Sequence, residues 1–259
     1  MVVVEELEIK ENLGAKEIDQ SLVDLELVQM FRAGVHLGYS RTRRHPKMAE
    51  YMYGIKNNVE IFDLEKVREC LRLAEAFLKK LGEEGKQVLW VGTKPSVRKI
   101  VEEIAGELGA SYVAWRWIGG TLTNAKVIRE RIKYFEDLKK KRETRELEKY
   151  TKKEQLKISQ EISKLEEKFS GIENLKNDLA ALVIVDPREE KTALHEAVQM
   201  KLPVVAILSS DNDRTSISYP IPANDTIPSS VRYLLSRLAK AWKEGRDSTP
   251  LASTTNADG

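Results

Sequence analysis

Apolar positions along this chain change their period several times, and each change marks an element. Leu27, Val28 and Phe31 recur at helical spacing after Asp24, with Val35 a further candidate, until Gly34 and Gly38 interrupt the run. Val59-Glu-Ile-Phe62 predicts a strand and Asp63 an N-cap, followed by Val67, Leu71, Ala74, Phe77 or Leu78, and Leu81 at helical spacing. Gln87-Val-Leu-Trp-Val91 is a short apolar strand, Gly92-Thr-Lys94 a turn, and Pro95 stands near the start of a helix whose inner face is Val97, Ile100, Ile104 and Leu108. Ser111-Tyr-Val-Ala114 predicts a brief strand leading to a turn at Gly119-Gly120. Leu179-Ala-Ala-Leu-Val-Ile-Val185 is apolar on both faces, as a central parallel strand must be. Asp186 and Glu189 have capping-box spacing ahead of a helix over 191–200. Pro203-Val-Val-Ala-Ile-Leu208 repeats the strand, and Pro228 opens a last helix with Val231, Leu234, Leu238 and Trp242 inside. Strand and helix alternate, so the expected class is α/β, a doubly wound parallel sheet with helices on both faces.

Residues 124–170 depart from that alternation. Ile128, Ile132, Phe135 and Leu138 make one stripe and Ile158, Ile162, Leu165 and Phe169 another, separated by a charged run, with no glycine or proline from Thr121 to Ser170. The spacing predicts two long helices folded into an antiparallel coiled-coil hairpin, turning between 144 and 151. The expected organisation is therefore a disordered acidic extension at 1–20, a sheet domain from 21–122 and 171–245, a hairpin insertion at 123–170, and a disordered tail at 246–259.

Bulk charge changes little: 43 basic residues against 41 acidic ones leave a net charge of +2 over 259 residues, so distribution has to carry the argument. It does so from Arg32 to Lys56, where Arg32, Arg41, Arg43, Arg44, Lys47 and Lys56 face a single acid, Glu50, with Tyr39, Tyr51 and Tyr53 interleaved. Such a cluster repels itself unless an anion is near, and guanidinium groups beside aromatic rings suit phosphates and unstacked bases. Segment 124–170 holds 15 basic and 10 acidic residues. The one cysteine, Cys70, lies on a helical inner face as a packing residue, which excludes an internal disulfide and multi-thiolate zinc sites. Met1-Val-Val-Val lacks the pattern of a signal peptide and no apolar run is long enough to span a bilayer, so a cytoplasmic place is expected.

Enzymatic chemistry finds no constellation. Gly92-Thr-Lys94 follows a strand, but the P-loop spacing and any G-x-G-x-x-G are absent. Asp186 is explained as a helix cap, Asp211, Asp213 and Asp225 as polar turns, and His36, His45 and His195 stand far apart without a cysteine or an H-E-x-x-H. No catalytic residue, cofactor, metal site or small-molecule substrate is expected.

Five segments then appear in order: the basic stretch 33–48, Gly92-Thr-Lys94, Arg116-Trp-Ile-Gly-Gly-Thr-Leu-Thr-Asn124 followed by Lys126 and Ile128, Thr151-Lys-Lys-Glu154, and Ile221-Pro-Ala-Asn-Asp225. Together, over about 25–245, they resemble the ribosomal protein S2 family. The resemblance implies a flavodoxin-like sheet with a protruding helical hairpin, of the bacterial or organellar type. It also implies a structural, non-enzymatic place in the small ribosomal subunit, contact with small-subunit rRNA and neighbouring ribosomal proteins, and recruitment of ribosomal protein S1. An rRNA-facing role follows for Arg41, Arg43, Arg44, His45 and Lys47, and extends to Arg116, Trp117, Thr123, Asn124 and Lys126; Lys94 and Arg98 join them as loop cations. The chain departs from the family pattern at Tyr39, where a second histidine is common, at His45, where asparagine is common, and at Ser209-Ser-Asp211. A family metal role that needs those groups is unsupported.

Overall fold

Asp24 opens the first helix, α1 (Leu25–Arg32), by accepting a hydrogen bond from the Glu26 amide at 3.1 Å. A computed structural model describes residues 24–175 and 178–248; the expected acidic extension at 1–20 and residues 249–259 of the expected tail lie outside them. The basic stretch after α1 is more ordered than a loop. Strands β1 (Leu37–Ser40), β2 (Met52–Lys56) and β3 (Val59–Phe62) form an antiparallel sheet in the order β1-β3-β2, with two 3-10 turns, Arg41–Arg43 and Pro46–Tyr51, between β1 and β2. Asn57 and Asn58, both at positive φ, make the two-residue turn from β2 to β3. Only β3 was visible as a strand in the apolar pattern, because β1 and β2 carry glycines and no clean alternation.

Asp63 caps α2 (Leu64–Glu83) through the Glu65 amide, as its position predicts. The main sheet follows: β4 (Gln87–Val91), α3 (Arg98–Leu108) and β5 (Tyr112–Val113), then two long helices, α4 (Ala125–Glu143) and α5 (Lys152–Phe169), then β6 (Leu179–Val185), α6 (Lys191–Gln199), β7 (Val204–Leu208), β8 (Tyr219–Pro222) and α7 (Pro228–Ser248). The five strands are all parallel in the order β5-β4-β6-β7-β8. Counted within the sheet this is 2-1-3-4-5, the flavodoxin-like order, with its switch point between β4 and β6. Right-handed crossovers run in opposite directions on either side of that point, which places α3 and α6 on opposite faces. α2, α3 and α7 pack together on the α3 face. Gly82 and Gly245 let α2 and α7 cross at backbone distance: a Cβ on either would strike the other helix's main chain.

β8 was not legible in the pattern, because Pro220 and Pro222 argue against a strand; as an edge strand β8 tolerates them. The last helix also continues past Gly245 to Ser248, so 246–248 are helical.

α4 ends at Glu143, a 3-10 turn spans Glu146–Lys149, and Thr151 and Glu154 form a capping box at the start of α5. The two helices touch through side chains such as Tyr134, whose hydroxyl donates to Glu161 at 3.1 Å. Ile128, Ile132, Phe135 and Leu138 of α4 and Ile162 and Phe169 of α5 are buried, and they belong to one apolar cluster that continues into the sheet domain.

Candidate nucleic-acid interface

In sheets of this order, ligands bind beyond the carboxyl ends of the strands at the switch point. Here that crevice is filled from within. Lys94, just after β4, pairs with Asp186 at the end of β6 and lies 3.3 Å from Asp225 Oδ1 in the segment between β8 and α7. Asp225 is 1% exposed and also accepts from the Ser209 amide and the Thr226 hydroxyl. Burial, with the Asp186 charge adding to it, pushes the Asp225 carboxyl up to about 6 against the pull of Lys94. Burial alone would lower the Lys94 pKa, but the two carboxylates more than reverse it and hold it above the usual lysine range. Beside them Glu190, also buried, accepts from the Thr93 amide at 2.7 Å. Lys94 is thus an internal countercharge rather than a surface lysine.

Asp186 is not the cap of α6. Its φ is +60°, its carboxylate accepts from the Arg188 amide, and its carbonyl accepts from the amides of Glu189 and Glu190; the residue preceding α6 is Glu190. The capping-box spacing was real, but the carboxylate turns toward Lys94 because an ion pair at a buried strand end outweighs one helix-terminal hydrogen bond.

The basic segment is seated on the same carboxyl edge. The Tyr39 amide donates to Ser210 Oγ, the His45 amide donates to the Ser210 carbonyl, and the Tyr39 hydroxyl meets Thr226 Oγ1 at 3.0 Å. Beneath it lies Glu60, fully buried, whose Oε1 is 3.0 Å from Arg44 Nη1; that pair has ion-pair distance without hydrogen-bond alignment. Burial raises the Glu60 pKa against the opposing pull of Arg44 and then Arg41. Lys47 pairs with Asp213 and Thr215 at the surface, and His45 Nδ1 accepts weakly from the Lys47 amide at the start of the second 3-10 turn. Arg41 and Arg43 remain: both are exposed, neither has an ion-pair partner among the described residues, and Arg43 lies over the Tyr39 ring at 5.5 Å. Asp211 is taken by Arg188 at 2.5 Å and Asp213 by Lys47, so these two carboxylates do not converge.

The Arg116–Asn124 loop is organised by a residue the sequence reading did not single out. Glu196 on α6 is 5% exposed and accepts from Trp117 Nε1, the amides of Gly120, Leu122 and Thr123, and the Thr123 hydroxyl. Burial would raise its pKa, but these donors outweigh burial and hold the carboxyl below the ordinary glutamate value. Trp117 and Thr123 therefore spend their polar atoms on the fold. Asn124 precedes α4 without a side-chain cap bond, and Arg116 and Lys126 are exposed without an ion-pair partner among the described residues. Arg98 is half-buried, stacked on Trp115 at 4.2 Å.

A signal for both missed acids exists. Glu196 stands on the inner stripe of its helix between Ala193 and Ala197, and Glu60 is in phase with buried Phe62 on β3. A carboxylate in an apolar phase needs compensation, and here loops supply it: hydrogen-bond donors for Glu196 and the Arg44 charge for Glu60.

Comparison with known proteins gives matches of two kinds, to a family model and to curated relatives. The family model described as Ribosomal protein S2 matches residues 30–245. The curated protein named "Small ribosomal subunit protein uS2" of Coprothermobacter proteolyticus is 38% identical over 221 residues, spanning 85% of this chain and 82% of that protein.

Proposed function

This chain belongs to the ribosomal protein S2 family and is a structural, non-enzymatic component of the small ribosomal subunit, and from that premise we propose that its Arg41–Arg43 turn is its principal contact with rRNA phosphates. As a subunit protein it associates with rRNA and with other ribosomal proteins. The observation that carries the proposal is the contrast in countercharges. Arg41 and Arg43 project from a turn whose neighbours Tyr39 and Arg44 are held by Ser210, Thr226 and Glu60, yet no acid within the described residues forms an ion pair with them. An A-form helix offers phosphates and 2′-hydroxyls rather than a readable major groove, and fixed, unpaired guanidinium groups suit that surface. Arg44 and Lys47, which have acidic partners, shape the turn. Arg116, in the loop before α4, and Lys126, in its first turn, are further exposed cations. In this reading Lys94, Trp117 and Thr123 support the loops from inside, and His45 with Arg98 fixes their borders. The α4–α5 pair acts as a coiled-coil hairpin arm for a further contact with rRNA or neighbouring proteins, ribosomal protein S1 is among the partners, and the compartment is the cytoplasm.

The test is incorporation. Arg41→Ala with Arg43→Ala in the full chain should weaken association with small subunits depleted of this protein, while its melting curve stays unchanged. Unchanged association over a salt titration would reduce the turn to solvated surface.

A further inference from the structure

Between the Arg116–Gly119 segment and the inner ends of α4 and α5 lies an open cleft of about 430 Å³. Its apolar floor draws on Trp117, Ile118, Ile128, Leu165 and Phe169 with Val127 at the edge, and its rim carries Arg116, Arg131 and Lys168, all exposed. Among the described residues no aspartate or glutamate lines it. Two other clefts differ on this point. The groove along α2 includes Asp63, Glu65 and Glu69, and the one between α2 and α7 includes Glu75 and Glu244.

We propose that this cleft holds one unstacked nucleotide of single-stranded RNA, with the base on the apolar floor and the phosphate among the three cations. The proposal rests on the rRNA-facing reading above and narrows it, for this site, from a charged surface to a pocket. A phosphate alone needs cations but no apolar floor. A duplex keeps its base faces stacked and cannot fill a concavity. A splayed nucleotide uses both parts of the site, because its base can bury a face while Arg116 or Arg131 stacks on or bridges to it. The volume falls within the range of small-ligand pockets, about 300–1,000 Å³. Glu196 fixes the wall by tying down Trp117 and Gly120, so the cleft does not have to be formed on binding. The absence of any rim carboxylate is what favours a polyanion.

Val127 is 46% exposed at the edge of the floor and can be replaced without opening the core. Val127→p-benzoylphenylalanine, carried by the full chain into small subunits and irradiated, should cross-link to an unpaired rRNA nucleotide. The same probe at Arg43 reports separately on the basic turn. A cross-link from position 127 only to protein, only to a base-paired nucleotide, or to nothing while position 43 labels rRNA would overturn the pocket and leave the broader reading standing. Silence at both positions would remove both. As a second measurement, Val127→Glu should weaken binding of a single-stranded RNA oligonucleotide by roughly tenfold, as loss of one stacked base predicts, and leave a duplex of the same length within twofold. Equal losses on both probes would make the cleft part of a general cationic surface and overturn the proposal.

Discussion

At the carboxyl edge of the main sheet Lys94 meets Asp186 and Asp225, while on the turn seated over that same edge neither Arg41 nor Arg43 forms an ion pair among the described residues, Arg41 feeling the buried Glu60 only at a distance. Both regions are cationic in sequence and both occupy loops, yet their chemistry is opposite. Lys94 closes the crevice where this strand order would otherwise admit a ligand. Its charge is consumed in the interior, where removing one partner exposes the cost of burying the others. Arg41 and Arg43 keep their charge at the surface, where it contributes little to stability and remains available to an anion. Countercharge and burial, rather than the number of cations, decide which basic residue is left free to meet an anion.

The comparison breaks first at Lys94. Lys94→Met should leave Asp186 and Asp225 facing each other without a cation and cost about 3–5 kcal/mol of stability, read by urea or guanidinium unfolding. A cost below about 1 kcal/mol would mean that water solvates the triad and the two regions are not distinct. Glu196→Gln comes next. Its amide nitrogen cannot accept, so one group of donors among Trp117, Gly120, Leu122 and Thr123 is stranded, at about 2–3 kcal/mol in the same measurement. A native-like melting curve would show that the loop does not depend on this carboxylate.

A smaller effect sharpens the interior side through pH. Asp225 is held at about 6 in the fold, above an unfolded value of about 3.9. Its native state therefore binds the proton more tightly, and the stability this group contributes is gained as pH falls through 6 and lost as pH rises through it. Asp225→Asn removes the titration. The stability difference between the two proteins should shift toward the wild type by on the order of 1–3 kcal/mol between pH 7 and pH 4.5. A difference independent of pH would contradict the buried, raised carboxyl.

Much of this fold could be read from apolar period. The doubly apolar run at 179–185 and the inner stripes of α2, α3 and α7 depend on local alternation, and the structure places them as strand and helices. β8 escaped because two prolines mask an edge strand, and β1 and β2 because each carries a glycine and neither alternates cleanly between apolar and polar positions. The candidate site was legible in composition but not in roles. Arg41 and Arg43 are as exposed as a basic turn suggests, whereas Lys94 and Trp117 turn inward and Thr123, itself exposed, gives its hydroxyl to Glu196. What redirects them is an acid far away in sequence: Asp225 lies 131 residues from Lys94, and Glu196 lies 79 from Trp117. No local pattern records such a pairing. An acid placed in an apolar phase, as at Glu60 and Glu196, is the trace it leaves.

The surface side of the comparison predicts almost no stability change and a clear electrostatic one. Arg41→Ala with Arg43→Ala should move unfolding stability by no more than about 0.5 kcal/mol. The direct measurement is the affinity of the full chain for protein-depleted small subunits as a function of salt, for the wild type and this double variant. If each arginine contacts one phosphate, the slope of log affinity against log salt should become shallower by roughly 0.7 to 0.9 for each residue removed. A double variant with the wild-type slope and affinity would contradict the account, because the charges left unpaired by the fold would then have no anion to meet.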